Sequence, residues 1–172
     1  MTSPAPPGPR TLVAGVGNIF LGDDGFGVEV ARRLTQEELP SDVEVADIGI
    51  RGVHLAYQLL DGYDTLVIVD ASARGGEPGT LYLIEVEAGA PGDRPVAQDV
   101  PLDGHRMSPD AVLALLGTLC AGTGAAPPRR TLVVGCEPAV IDEAIGLSPQ
   151  VDAAVPAAVR MVTDLVRKEA VV

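Results

Sequence analysis

TLVAGVGNIFLGDDGFGVEVARRL, residues 11–34, begins with an apolar run, turns through five glycines and two adjacent aspartates, and resumes with apolar residues at helical spacing. A run without polar alternation is the pattern of a strand buried on both faces. Phe26, Val30 and Leu34 then fall on one face of a helix. Strand, glycine turn and helix in that order form the opening unit of a sheet whose strands run parallel. The turn itself, GVGNIFLGDDGFG (15–27), raises the question of what it holds.

The rest of the chain repeats the alternation. Val- and Ile-rich runs at 43–48, 65–70, 80–87 and 131–137 read as further strands. Helical spacing returns at Val53, Ala56, Leu59 and Leu60. Ser108-Pro109 and Ser148-Pro149 each place a Ser N-cap before a Pro at the first helical position. The last helix carries Val151, Val155, Val162 and Leu165 on one face, with a kink expected at Pro156. The third and fourth strands are joined only by ARGGEPG (73–79), too short for a crossover, so they are expected to pair antiparallel. The expected fold is α/β: three layers, a mixed, mainly parallel twisted sheet of about five strands, with helices on both faces. It forms a single domain over 11–172 after a flexible Pro-rich tail, 1–10.

Composition narrows the partners. Twelve Lys and Arg against 24 Asp and Glu give a net charge of −12, which repels nucleic acid and anionic bilayers alike. No apolar stretch of about 20 residues is present to span a membrane. Cys120 and Cys136 form no CxxC pair, which fits buried thiols in a reducing cytoplasm.

A dinucleotide-binding loop needs glycines at its first, third and sixth positions. Gly15 and Gly17 fit, but the sixth position is Phe20, and Asp23-Asp24 would repel a phosphate at the helix start. The Gly-Lys-Ser or Gly-Lys-Thr of a P-loop is absent. Metal is the other possibility. Ligands of open α/β sheets bind beyond the carboxyl ends of the strands. Asp23 and Asp24 follow the first strand, Asp70 closes the third, Glu137 closes the fifth, and His105 lies in the loop before the helix near Ser108. Two carboxylates and an imidazole suit a divalent ion such as nickel, zinc or manganese. Each residue also has a duller role: Asp23 or Asp24 as a helix cap, Asp70 in a turn, His105 at the surface, and Glu137 as a helix-start carboxylate. His54, inside a helix, reads as structural or surface. Neither GxSxG nor a Cys beside a His marks a nucleophile.

These pieces, taken together, resemble the hydrogenase maturation proteases, whose signature is a glycine-rich turn with Asn, followed by Asp, then Asp or Glu, then Gly. The likeness continues through LVIVDA (66–71), GHRMSPDAVLALL (104–116), TLVVGCEP (131–138) and GLSPQV (146–151). The resemblance implies an endopeptidase that removes the C-terminal extension of a nickel–iron hydrogenase large-subunit precursor after nickel insertion. It implies Asp24, Asp70 and His105 as metal-contacting residues, choosing Asp24 over Asp23, and nickel that arrives with the substrate. Gly15, Gly17 and Asn18 are then expected to shape the cleft, with Arg51 and Glu137 as further cleft-shaping or substrate-binding residues. Where many relatives carry Gly-Thr, this chain has DIGIRGVH (47–54), so Arg51 is either a solvated loop residue or a partner for a substrate carboxylate. The competing readings are a nucleotide-binding α/β protein and a non-catalytic nickel-binding chaperone.

Overall fold

The computed structural model describes residues 10–86 and 109–170. Five strands, β1 (Thr11–Val16), β2 (Val43–Gly49), β3 (Thr65–Ala71), β4 (Leu81–Val86) and β5 (Arg130–Cys136), form one sheet in the order β2-β1-β3-β5-β4. The helices are α1 (Phe26–Leu34), α2 (Gly52–Leu59), α3 (Pro109–Thr123) and α4 (Pro149–Ala170). The first four strands in that order are parallel, and β4 runs antiparallel to β5.

The three central strands explain the layering. Their side chains alternate between two cores. Val13, Val67, Val69 and Val134 pack under α1 and α4, while Leu12, Ala14, Leu66, Ile68 and Val133 pack under α2 and α3. Both faces are therefore covered, as expected of continuous apolar strands.

Some expectations are corrected. β4 does not pair with β3, because β5 occupies that place and β4 is hydrogen-bonded on β5's outer side. The short link thus steps across a neighbour. On α2 the buried face is Gly52, Leu55, Ala56 and Leu59, whereas Val53 is exposed. Pro156 lies within α4, on its exposed side. Arg10 is not part of a loose tail. Its guanidinium stacks on Tyr63, 4.5 Å from the ring centre, and binds Glu44 at 2.6 Å, while its N–H donates to Asp64. Among the described residues, no helix is long and apolar enough to cross a membrane.

Gly15 faces α1 rather than the cleft. A Cβ there would strike the Gly27 carbonyl and the Ala31 methyl group, and a Cβ on Gly27 would strike the carbonyls of Val16 and Val69. The helix therefore lies with its backbone directly on the sheet. Gly27→Ala is expected to cost about 3 kcal/mol in urea unfolding, because backbone rather than a flexible side chain would have to move. A loss below about 1 kcal/mol would show that α1 can lift away freely.

Candidate active site

The turn after β1 is built by its own backbone. Gly17 has φ +132° and donates its N–H to the Gly49 carbonyl at 3.0 Å, tying the turn to the end of β2. The Asn18 side chain accepts the Phe20 N–H at 2.9 Å, and the Asn18 N–H donates to Asp24 Oδ2 at 2.8 Å. A single 3-10 turn, Gly22–Gly25, then leads into α1. Asn18 thus fixes both the bend and the Asp24 carboxylate.

The adjacent aspartates have different environments. Asp23 is fully buried and accepts four hydrogen bonds, from the N–H groups of Ala139 (2.8 Å), Val140 (2.9 Å) and Ser148 (2.7 Å), and from the Ser148 hydroxyl (2.9 Å). Burial alone would raise its carboxyl, but these bonds, the Ser148 N–H foremost, outweigh it and hold Asp23 below the usual carboxylate range. Asp24 instead shares the cleft with Asp70. The Asp70 carboxyl is pushed up to about 8, first by burial and then by the Asp24 carboxylate, against an opposing hydrogen bond from the Ala71 N–H. Gly17 packs against the Asp24 backbone, since a Cβ there would collide with the Asp24 main-chain carbonyl and stand 3.7 Å from Asp70 Oδ1. The geometry brings two mutually repelling carboxylates to the carboxyl end of the sheet, an arrangement suited to a cation or to sharing a proton.

Other residues named from sequence are placed elsewhere. Glu137 is not a helix-start carboxylate: its Oε1 accepts the N–H groups of Arg74 and Gly76, both at 2.8 Å, and the Tyr82 hydroxyl at 2.9 Å. Those bonds, led by the Arg74 N–H, lower its carboxyl and pin the link between β3 and β4. Arg51 precedes α2 and folds back, donating to the carbonyls of Asp47 (2.9 Å) and Ile48 (3.3 Å). His54 is exposed on α2. His105 and Ser108 lie outside the described residues, and among the described residues no three His, Cys, Asp or Glu side chains converge as a metal cluster. Both cysteines are buried free thiols, and burial raises Cys136 to about 11.

The sequence reading missed the 138–148 segment as part of this end of the molecule. Ser148 was legible as a cap, and it does accept the Val151 N–H at 3.4 Å, but its pairing with Asp23 has no local signal.

Comparison with known proteins agrees with this architecture. A model of the hydrogenase maturation protease family matches residues 28–165. The chain is similar to the hydrogenase 2 maturation protease of Escherichia coli K12, with 33% identity over 94% of this chain and 93% of the relative. Among solved structures it resembles the hydrogenase-maturating endopeptidase HybD from E. coli, with a TM-score of 0.72 and 30% identity over 93% of both chains. It also resembles a hydrogenase 2 maturation peptidase from a Thaumarchaeota archaeon, with a TM-score of 0.68 and 32% identity over 91% of this chain and 97% of the other. The extent of these matches shows that the chain belongs to the hydrogenase maturation protease family, a family of peptide-bond hydrolases.

Proposed function

We propose that this protein is the endopeptidase that removes the C-terminal extension of a nickel–iron hydrogenase large-subunit precursor once nickel is in place. The observation that carries the reading is the pair Asp24 and Asp70, close enough at the carboxyl end of the sheet for the Asp24 charge to raise the Asp70 carboxyl, with Gly17 packed beside both residues. Their repulsion is relieved when a cation comes between them, so the cleft gains most from a substrate that brings one. Nickel is here part of the substrate, held by the precursor's own cysteines. Asp24, Asp70 and His105 complete its coordination, and a precursor without nickel forfeits that binding energy. Other divalent ions suit the same oxygen-rich pair. Asn18 holds the Asp24 carboxylate through its N–H, while Arg51, bonded to the Asp47 and Ile48 carbonyls, is left without an assigned contact to substrate. Two buried free thiols are compatible with work in the cytoplasm.

The test is the intact mass of a precursor, nickel-loaded or nickel-free, after incubation with wild type or with Asp24→Ala. Loss of a C-terminal peptide is expected only with nickel and only with wild type. A nickel-dependent complex without any mass change would replace the reading with a chaperone. Trimming by Asp24→Ala at the wild-type rate would remove Asp24 from the site.

A further inference from the structure

Beside the acid pair lies an apolar patch that the packing of the described residues does not explain. Ile145 is 83% exposed and Phe20 62%, and Ile19, Val140 and Ile141 are each more than two-fifths exposed. The other Phe of the chain, Phe26, is fully buried. These five residues come from two segments that the backbone locks together. The Phe20 carbonyl accepts the Ala144 N–H at 3.0 Å, the Ala144 carbonyl accepts the Gly22 N–H at 2.9 Å, and the Val140 carbonyl accepts the Asp23 N–H at 2.9 Å. The buried Asp23 carboxylate holds the same loop from beneath.

A loop fixed in this way cannot turn its apolar side chains inward. Such preorganisation lowers the entropic cost of binding, and rigid apolar side chains with charged neighbours have the composition of an interface centre and rim. Asp142 and Glu143 supply the charge, both exposed, in a chain of net charge −12. The patch is also continuous with the cleft: Phe20 bonds to Asn18, and Asn18 to Asp24.

Resting on the reading of the cleft given above, we propose that Ile19, Phe20 and the 140–145 loop form the surface on which the body of the hydrogenase large-subunit precursor docks, through an apolar face bordered by basic side chains. The cleft then checks the metal while this platform supplies affinity for the protein that carries it.

Steady-state processing of the nickel-loaded precursor tests this. Phe20→Ser with Ile145→Ser is expected to raise KM about ten- to hundredfold, with the rate at saturation restored and Tm unchanged. Asp142→Lys with Glu143→Lys is expected to raise KM and flatten its dependence on salt. Leu83→Ser, an exposed apolar residue on β4 outside the patch, is expected to leave KM unchanged. Wild-type KM in both double variants would overturn the proposal. So would a wild-type dimer, seen by sedimentation, that Phe20→Ser with Ile145→Ser disperses without changing KM. If wild type fails to trim any precursor, the catalytic reading falls. Calorimetric titration of the same precursor with the same variants still decides docking, with weakened binding supporting it and equal binding refuting it.

Discussion

Asp70→Asn is expected to yield a protein that is more stable than wild type at pH 8 and unable to trim its precursor. The folded-state pKa of Asp70, about 8, lies above the ordinary value of 3.8. Between these two values the folded protein keeps a proton that the unfolded chain has released. Stability linked to this group is therefore complete below about pH 4 and declines as pH rises toward 8. Asn carries no charge to desolvate and none for Asp24 to repel, so the variant should escape that decline. Thermal melts from pH 5 to 8 should fall for wild type and stay nearly level for the variant, leaving a gap at pH 8 of several degrees, at about 2–4 °C per kcal/mol. Processing should drop by about a thousandfold, because a neutral amide cannot offer an anionic ligand to the substrate's metal. A parallel pH slope in both proteins would mean that Asp70 is not the group that titrates. Trimming at the wild-type rate would exclude its carboxylate from the reaction.

Asp23→Ala should have the opposite outcome, a protein damaged in its fold. The substitution leaves three N–H groups and a hydroxyl without their acceptor at a fully buried site. The expected loss is about 3–5 kcal/mol at pH 7, measured by urea unfolding. Here the folded pKa is depressed, so the contribution of the carboxylate is present above about pH 4 and fades as pH falls through the folded-state value. The gap between variant and wild type should accordingly narrow at pH 3. A loss of less than about 1 kcal/mol at pH 7 would show that the 139–148 segment holds its place without Asp23.

These two residues also mark how far sequence alone can be read. The central strands were legible because burial on both faces leaves an apolar run with few alternatives, and α1 because Phe26, Val30 and Leu34 repeat at the helical period. The position of β4 was not legible. Chain adjacency favours β3 as its neighbour, but the parallel β5 takes that place beneath two helices, and the half-exposed β4 is left at the edge. The face of α2 was misread because its eight residues are apolar at most positions, so Val53 and Leu55 fit a helical stripe equally well. Nothing local separates Asp23 from Asp24. The first is defined by partners more than a hundred residues away, and the second by a glycine whose missing Cβ leaves room beside Asp70. Resemblance to a family assigned Asp24 to the metal, whereas spacing had left the choice open.

Contact separation gives the Asp23 network a temporal meaning. Its partners lie 116 to 125 positions along the chain, so this second anchor of the turn forms only after Ser148 has been synthesised. Closing loops of that length carries a high entropic cost and comes late in folding. A chain still lacking Ser148 has the glycine turn held by the Gly17–Gly49 hydrogen bond but not by the 139–148 segment. The acid-bearing turn therefore gains its full set of contacts only once most of the chain is present.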